Sequence, residues 1–362
     1  MASAIRNALE SAVAMSHDES PVSKLAGSKP ARICVAGSGA IGGTLAARLA
    51  LAGHDVSVIA RGATLEAIRS SGLRLVDTTA VNATPVRADV RAAERAEFGV
   101  QDIVFVSVKA HGLQDMLPQL APLIGERTSV VPTINGLPWW YFQGEGGRFD
   151  GEAVHAVDPD GALLRALPWR RVVGCVVYIA AHVTEPGLVV TTNANRLILG
   201  EPDHQLSPRV TALCWYLERA GIKAEATARI RDAIWIKLMA NLATNPLSVV
   251  TGGTLSQLHS DEGTRAIIRT IMQETLSVGR AYGVQPVVDI EQLLAQGLKL
   301  GAFKTSMLQD FEKGQPLELA GIGDAVVELA ARADIPIPAT RQLLALARFR
   351  SRHEPSPVQS NV

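Results

Sequence analysis

Three glycines, Gly37, Gly39 and Gly42, stand at the G-x-G-x-x-G spacing between a short apolar run and a segment of helical composition. In a strand–turn–helix unit the first glycine makes a tight turn, the second lets the backbone approach a pyrophosphate, and the third lets the helix pack on the strand. Free N–H groups at the start of the helix then bind the phosphates. The sequence therefore predicts a dinucleotide-binding turn, formed by Gly37, Ser38, Gly39, Ala40, Ile41 and Gly42.

A second predicted strand, Asp55–Ala60, should lie beside the first, and its end indicates which dinucleotide would bind. NAD sites usually carry Asp or Glu here, about 20 residues past the glycines, to accept a hydrogen bond from the ribose 2′-OH. This chain has Arg61 at that point and no carboxylate. A guanidinium group can bind a 2′-phosphate in a bidentate manner, and a solvated loop arginine is the alternative. We therefore expect NADP(H), with Arg61 on the 2′-phosphate.

Three polar residues, Lys237, Asn241 and Asn245, recur at every fourth position along the predicted helix 227–249. The rest of that helix is nearly all apolar, whereas an ordinary surface helix carries several charges on its polar face. Because Lys and Asn are rarely buried without partners, the stripe either faces a polar cleft or forms a hydrogen-bonded seam between helices. In a cleft, desolvation would lower the pKa of the lysine, which could then serve as general acid toward a carbonyl oxygen as the carbonyl receives hydride.

The overall composition narrows the functional classes. The chain has 362 residues, which suggests two domains, and its 35 Lys and Arg residues balance 35 Asp and Glu residues. A net charge of zero provides no electrostatic case for a nucleic acid or a membrane as partner. Cys34, Cys175 and Cys214 lie in apolar stretches at irregular spacing, so we expect neither a disulfide framework nor a metal site. Residues 1–30 lack the apolar core of a signal peptide, which favours a cytoplasmic protein.

The alternation of β-branched runs with helical segments predicts an α/β fold, with an N-terminal Rossmann-type doubly wound sheet followed by an all-α C-terminal domain. The predicted division is a mobile extension at 1–30, a dinucleotide-binding domain at 31–200, a helical substrate and dimerisation domain at 201–350, and a disordered tail at 351–362. The predicted strands are 33–36, 55–60, 103–108, 129–134 and 171–179, with an antiparallel pair formed by 188–192 and 196–199. The predicted helices are 44–52, 206–220, 227–249, 260–282, 289–299, 316–333 and 338–349.

An aromatic segment, Trp139–Phe142, interrupts this alternation and is followed by a glycine-rich stretch. One interpretation is a surface flap whose rings cover a hydrophobic edge, and the other is a lid over the active-site cleft. The sequence does not decide between them.

The order and spacing of these motifs resemble those of the ketopantoate reductase family (2-dehydropantoate 2-reductases) from residue 31 to about residue 349. The matching pieces are Gly37–Gly42, Arg61, Val108–Ala110, Asn135-Gly136, the helix with Lys237, Asn241 and Asn245, Thr305–Asp310, Gly314 and Glu318. Each piece alone is only modestly specific for this family, whereas the order and spacing of all the pieces together are highly specific for it. The resemblance implies the NADPH-dependent reduction of a 2-oxo acid, in the first instance ketopantoate to pantoate in the pantothenate and coenzyme A pathway.

The resemblance also implies roles on the substrate side. Lys237 would be the general acid, and Glu318 would accept a hydrogen bond from its ammonium group or from substrate. A carboxylate there would oppose the effect of desolvation and keep the lysine protonated. Asn241 and Asn245 would hold the hydroxyl and carboxylate groups of the substrate, and Ser306 would donate to the carboxylate.

On the cofactor side, the resemblance implies that Lys109 and Asn135 line the nicotinamide half of the cleft, since ligands bind at the carboxyl ends of parallel strands. Without the resemblance, simpler interpretations hold for several of these residues. Ser306 could be a helix N-cap, Glu318 a first-turn carboxylate after Pro316, and Lys109 a solvated residue at a strand end.

The chain also departs from the family pattern. Leu317 replaces a small polar residue before the glutamate, Ala320 replaces an aspartate after it, and Trp139–Phe142 is an insertion relative to short members. All three changes touch the substrate side, so the substrate could be a different 2-oxo or hydroxy acid. A non-catalytic NADP-binding sensor is a further alternative, but it would have no need of an acid such as Lys237. An apolar helical domain often pairs with a second copy, so a homodimer is also a hypothesis.

Overall fold

The computed structural model describes residues 30–80, 83–193 and 195–353. Its strands are β1 (Arg32–Ala36), β2 (Asp55–Ile59), β3 (Leu73–Asp77), β4 (Val86–Ala88), β5 (Arg91–Ala93), β6 (Ile103–Val106), β7 (Ser129–Pro132), β8 (Gly174–Tyr178), β9 (Ala181–Glu185), β10 (Leu188–Thr191), β11 (Arg196–Gly200) and β12 (Lys223–Ala226). Its α-helices are α1 (Ala40–Leu51), α2 (Gly62–Ser71), α3 (Leu113–Leu120), α4 (Ala162–Ala166), α5 (Pro208–Arg219), α6 (Ile230–Thr251), α7 (Leu255–Ser260), α8 (Glu262–Ala281), α9 (Ile290–Gly297), α10 (Ser306–Glu312), α11 (Ala325–Arg332) and α12 (Pro338–His353).

A five-stranded parallel sheet forms the centre of the N-terminal domain, in the order β5-β2-β1-β6-β7. Strands β1, β6 and β7 consist almost entirely of buried residues, as strands covered on both faces must. The chain runs outward from β1 through β2 to β5 and then returns to the other side of β1 with β6. The strand order therefore reverses between β1 and β6, where open α/β sheets bind their ligands. The predicted Rossmann-type sheet is confirmed.

Strands β10 and β11 do not form the predicted antiparallel pair, because they belong to different sheets. Strand β10 pairs antiparallel with β9 and parallel with β3, whereas β11 pairs antiparallel with β8 and parallel with β12. The prediction was wrong because Gly187, with φ at 73°, makes a tight turn that gives β10 a nearer hairpin partner in β9.

The chain returns to a sheet after residue 200 before it becomes helical. Strand β12 pairs with β11 from Arg196↔Lys223 to Leu199↔Ala226, and α5 packs against β12. The predicted boundary near residue 200 falls between these two paired strands, so the segment after it is not all helical. We propose that the helical domain begins at Ile230, after which the described residues form helices and no strand.

Two predicted helices have different bounds in the structure. Helix α1 begins at Ala40 rather than Thr44, because the glycine turn itself leads directly into helical geometry. The predicted helix 260–282 is preceded by the separate short helix α7. Asp261 separates the two helices and caps α8, since its carboxylate accepts a hydrogen bond from the amide of Thr264 at 2.8 Å.

The predicted helix 316–333 begins later, with a π-helical turn at Ala320–Asp324 that continues into α11. Helix α12 continues to His353, past the predicted start of the tail at residue 351. The remainder of that tail and the N-terminal extension up to residue 29 lie outside the described residues. Within the described ranges, no helix combines the length and the apolar character that crossing a bilayer requires.

The aromatic segment Trp139–Phe142 is buried in the core, so neither a surface flap nor a lid describes it. The most exposed of its four side chains, Trp139, is only 3% exposed. The hydroxyl of Tyr141 accepts a hydrogen bond from the indole N–H of Trp235 on α6 at 2.7 Å. Phe142 packs against Tyr282, with ring centroids 5.4 Å apart. The segment therefore joins the sheet to the helical domain through a large buried aromatic surface.

Arg231, near the start of α6, holds this segment in place. Its buried guanidinium group donates hydrogen bonds to the backbone carbonyls of Tyr141 at 2.8 Å, Gln143 at 3.1 Å and Pro202 at 2.6 Å. Buried carbonyl groups need hydrogen-bond donors. One side chain thus satisfies three carbonyls from two separate loops.

We expect Arg231→Met to lower the free energy of unfolding by about 3 kcal/mol, because two buried carbonyls and one partly buried carbonyl would lose their donor. The matched control is Arg229→Met, whose side chain is 55% exposed and pairs with Asp232. Loss of that surface pair should cost less than about 1 kcal/mol. Urea and thermal unfolding of the two variants compare the losses, and equal losses would contradict the structural role of Arg231.

Candidate active site

The glycine turn has the geometry that its spacing predicts. Gly37 has φ at 108°, and a Cβ atom there would lie 2.8 Å from the carbonyl oxygen of Ser107. A Cβ atom at Gly42 would lie 1.9 Å from the carbonyl oxygen of Gly37, so α1 can pack this closely only without a side chain. At Gly39, no heavy atom lies within 4 Å of the corresponding position. The second glycine therefore opens onto free space, which leaves room for a ligand beside the backbone.

Arg61 follows the end of β2, next to this turn. The amide of Gly37 donates a hydrogen bond to the carbonyl of Ile59 at 3.2 Å, which holds the ends of β1 and β2 side by side. Arg61 occupies the N-cap position of α2, and its exposed side chain forms no hydrogen bond or ion pair with another described residue. Helix α1 carries no acidic residue in its first turn. Two helix N-termini and a free guanidinium group therefore create a region that favours an anion.

Lys237 projects from α6 toward the ends of β7 and β8. Its Nζ donates hydrogen bonds to Oδ1 of Asn135 at 2.8 Å and to the carbonyl oxygen of Val177. It also lies 5.5 Å from the centroid of the Tyr178 ring. Burial lowers the pKa of Lys237 to about 8, although the negative charge of Glu318 acts in the opposite direction. An ammonium group with this pKa still carries its proton at neutral pH and can release it to a developing alkoxide.

Asn241 and Asn245 continue the polar stripe of α6 beyond Lys237, as the spacing predicts. Asn245 is buried and Asn241 is partly buried. Neither side-chain amide forms a hydrogen bond with another described residue, so the stripe does not make the helix–helix seam that was the alternative. Amide groups in such a position need partners from solvent or from a ligand.

Ser306 is the first residue of α10, and its side chain is exposed. The N-cap is Thr305, whose hydroxyl accepts a hydrogen bond from the amide of Leu308 at 3.1 Å, so the alternative N-cap interpretation of Ser306 is wrong by one residue. The hydroxyl groups of Thr305 and Ser248 are 2.6 Å apart. Since Ser248 follows Asn245 by about one helical turn, this bond holds the start of α10 beside the polar stripe.

Lys109 joins the two domains and is not merely a solvated strand end. Its Nζ lies 2.7 Å from Oδ2 of Asp310 and 3.6 Å from Oε2 of Glu318. Burial acts to lower the pKa of Lys109, but Glu318 and Asp310 outweigh it and raise the pKa. The other carboxylate oxygen of Glu318 accepts a hydrogen bond from the amide of Ala110 at 3.1 Å. Glu318 therefore does not accept the predicted hydrogen bond from Lys237, and it acts on that residue through its charge.

Asn135 is positioned by a close contact between two backbone segments. Gly136 has φ at 93°, and a Cβ atom there would lie 2.4 Å from the carbonyl carbon of Gly321. The amide of Leu137 donates to the carbonyl of Gly321 at 2.8 Å. Gly321 belongs to the π-helical turn that precedes α11, and such turns are frequent at functional sites. The turn that carries Asn135 and the segment that carries Glu318 therefore support each other.

Sequence analysis assigned no role to three residues that the structure brings into the site, Val177, Tyr178 and Asp310. Val177 contributes a backbone carbonyl, for which side-chain patterns carry no signal. Asp310 belongs to the recognised motif, but its pairing with Lys109 joins residues 201 positions apart. In the part of the chain that the structure describes, no cluster of His, Cys, Asp and Glu could hold a metal ion.

Among known protein families, two family models match this chain, one in its N-terminal part and one in its C-terminal part. The family model described as ketopantoate reductase PanE/ApbA covers residues 33–141, and the model of the C-terminal part of the same family covers residues 229–351. A 2-dehydropantoate 2-reductase of Mesorhizobium japonicum is 46% identical over 318 residues, which make up 88% of this chain and 97% of that protein.

Solved structures show the same likeness. A protein of Ralstonia solanacearum MolK2 assigned to the ketopantoate reductases has a TM-score of 0.84 at 40% identity, covering 90% of this chain and 98% of its own. The 2-dehydropantoate 2-reductase of Geobacter metallireducens GS-15 has a TM-score of 0.77 at 26% identity, covering 88% of this chain and 99% of its own. The chain therefore belongs to the ketopantoate reductase family of NADP-dependent oxidoreductases.

Proposed function

We propose that the protein catalyses the NADPH-dependent reduction of a 2-oxo acid, and that ketopantoate is this acid, giving pantoate. The observation that carries the proposal is the partly buried ammonium group of Lys237, which two neutral oxygens hold at one end of an unpaired amide stripe. The likeness to the Mesorhizobium japonicum 2-dehydropantoate 2-reductase supports the choice of ketopantoate, since it extends over most of the chain.

The glycine turn and its surroundings fit a dinucleotide. The backbone of Gly37–Gly42 and the N-terminus of α1 would hold the diphosphate, because Gly39 leaves free space there. Arg61 would pair with the 2′-phosphate, and Lys109 and Asn135 would line the nicotinamide half of the cleft. When bound, NADPH supplies the hydride that reduces the keto carbon.

Lys237 would hold a proton at Nζ and transfer it to the substrate oxygen as negative charge develops there. Asn135 and Val177 orient the ammonium group without neutralising it, because both acceptors are uncharged. Glu318 adds a negative charge nearby, which favours the protonated form of the lysine. We therefore assign Lys237 as general acid and Glu318 as the carboxylate that maintains its protonation.

Asn241, Asn245 and Ser306 would bind the carboxylate and hydroxyl groups of the substrate. The two amides can donate and accept hydrogen bonds, and both are unpaired within the described chain. Ser306 directly follows Thr305, whose bond with Ser248 holds the start of α10 against α6.

A homodimer, a cytoplasmic location and the absence of a nucleic acid partner are part of the same proposal. Leu346 and Phe349 on α12 are 55% and 62% exposed, and this apolar surface on the helical domain supports self-association. The balanced charge of the chain supports a small-molecule substrate rather than a polyanion.

Purified protein should oxidise NADPH when ketopantoate is added, and Lys237→Met should lower kcat by about 10²- to 10⁴-fold, the contribution typical of a general acid. NADPH binding, measured by its fluorescence, should change little, because Lys237 forms no hydrogen bond with the glycine turn or with Arg61 and bonds Asn135 and Val177 instead. Lys223→Met removes an exposed lysine and is the matched control. Full activity of Lys237→Met would refute the acid assignment, and absence of ketopantoate turnover with intact NADPH binding would direct the search to another 2-oxo acid.

The reduction should slow as pH rises through about 8, where Lys237 loses its proton. Glu318→Gln should move this alkaline limb to lower pH, because the charge that raises the pKa of Lys237 is lost. Asp310→Asn is the control, since Asp310 also pairs with Lys109 but does not contribute to the pKa of Lys237. The pH dependence of kcat/KM measures both, and an identical shift in the two variants would rule out the charge effect of Glu318.

Arg61→Ala should raise KM for NADPH by roughly 10- to 100-fold, because a charge-assisted hydrogen bond to the 2′-phosphate would be lost. KM for NADH should change little, since NADH lacks that phosphate. Arg69→Ala, at the other end of α2, is the matched control. Steady-state kinetics with both cofactors provides the comparison, and an equal effect on NADPH and NADH would exclude a 2′-phosphate role for Arg61.

A further inference from the structure

The partly buried ammonium group of Lys237 forms no ion pair with a described residue. Its two hydrogen-bond acceptors, Oδ1 of Asn135 and the carbonyl oxygen of Val177, are both uncharged. Charged side chains are rarely buried without a partner of opposite charge, because desolvation of an unpaired charge is costly. A further interaction that favours the protonated amine is therefore expected close to Lys237.

The titratable groups around Lys237 supply little negative charge. Burial raises the pKa of the Cys175 thiol on β8 to about 12, so this group is uncharged at neutral pH. The carboxylate of Glu318 does act on Lys237, but it lies 3.6 Å from Nζ of Lys109, which neutralises part of its charge. Neither group is a close counter-ion of Lys237.

The aromatic ring of Tyr178, the last residue of β8, faces this ammonium group. Nζ of Lys237 lies over the ring, 5.5 Å from its centroid. The face of an aromatic ring carries partial negative charge and attracts a cation within about 6 Å, more strongly where water is excluded. Burial raises the pKa of the Tyr178 phenol, so the ring stays neutral while Lys237 titrates. With the carbonyl of Val177, this end of β8 provides two successive interactions with one ammonium group.

The neighbouring strands hold the ring of Tyr178. Arg196 on β11 lies directly opposite Tyr178 on β8, and its Cζ is 5.3 Å from the ring centroid. The guanidinium group donates hydrogen bonds to both carboxylate oxygens of Glu225 on β12, at 3.0 Å and 2.7 Å. Glu225 also pairs with the exposed Lys223 at 3.3 Å. Arg196 therefore packs on the ring with its own charge largely neutralised, and it competes little with Lys237.

We propose that Tyr178 is a positioning residue that acts through Lys237, because the face of its ring stabilises the protonated ammonium group. In the proposed reduction, this interaction keeps the proton on Nζ until the substrate oxygen receives it. The second statement rests on the proposed function, whereas the interaction between the ring and the ammonium group does not. Without the ring, less would oppose desolvation, and the amine would lose its proton at lower pH.

Nuclear magnetic resonance of protein carrying carbon-13 at the lysine ε-carbons measures the protonation of Lys237 directly, and Lys237→Met identifies its signal. Tyr178→Leu should move the titration midpoint of Lys237 to lower pH by about 0.5 to 1.5 units. Tyr178→Phe should move it much less, because a phenyl ring retains the negative face. Tyr216→Leu, which removes a ring packed against His54 and Trp215, is the matched control and should leave the midpoint unchanged.

A second pair of variants keeps the shape of the ring and changes its charge distribution. Phenylalanine and pentafluorophenylalanine placed at position 178 differ little in size, but fluorine withdraws electron density from the ring face. The fluorinated protein should titrate at lower pH than the phenylalanine protein, by about 0.5 units or more. This comparison tests the proposal even if Tyr178→Leu does not fold.

The pH dependence of kcat/KM with NADPH and ketopantoate tests the consequence for the reaction. Tyr178→Leu should lower kcat/KM by roughly 3- to 20-fold at about pH 8.5 and by less than about 2-fold at about pH 6, because only the protonated fraction of Lys237 changes. A purely structural role of Tyr178 would lower kcat/KM equally at both values of pH.

Unchanged midpoints in Tyr178→Leu and in the fluorinated protein would overturn the proposal. Equal shifts in Tyr178→Phe and Tyr178→Leu would also overturn it, since the effect would then belong to the hydroxyl group. The expected shifts in a protein that reduces no 2-oxo acid would instead overturn the proposed function and leave the interaction of the ring with Lys237 intact. The two failures are distinguishable because the titration requires no turnover.

Discussion

An amine that leaves bulk water must be held by oxygen atoms, and this requirement organises the site around Lys237. Its partners are Oδ1 of Asn135 and the carbonyl oxygen of Val177. Asn135 follows β7 and Val177 lies in β8, so the ends of both strands hold the lysine that α6 carries. Desolvation lowers the pKa of Lys237 to about 8, and the same shift makes the group a usable acid at neutral pH. The burial that requires oxygen partners for Lys237 therefore also gives this side chain the pKa that a general acid needs.

The contacts that join the two domains also position the site. Gly136 and Gly321 approach so closely that a side chain at Gly136 would collide with the backbone of Gly321. Lys109 bridges to Asp310 and Glu318 across the domain boundary. Arg231 ties the aromatic segment to the start of α6. Stability and site geometry thus depend on the same interface between the two domains.

The parts of the site that follow from local geometry were predictable, and those that depend on distant partners were not. The tight turn at Gly37 and the close helix packing at Gly42 follow from glycine spacing, because each requirement concerns neighbouring backbone atoms. Glu318 was expected to bind Lys237, yet its oxygens contact Lys109 and Ala110. A sequence shows that a carboxylate is present but not which of two lysines faces it.

By itself, the sequence determined the class of fold, the dinucleotide turn, the polar stripe of α6 and the family resemblance, because period and spacing along the chain encode them. Tertiary structure decided the pairing of β10 with β9 and the burial of Trp139–Phe142. It also decided the acid strength of Lys237, since desolvation depends on what surrounds a group in space. Residues far apart in the chain create that environment, and no local pattern records their approach.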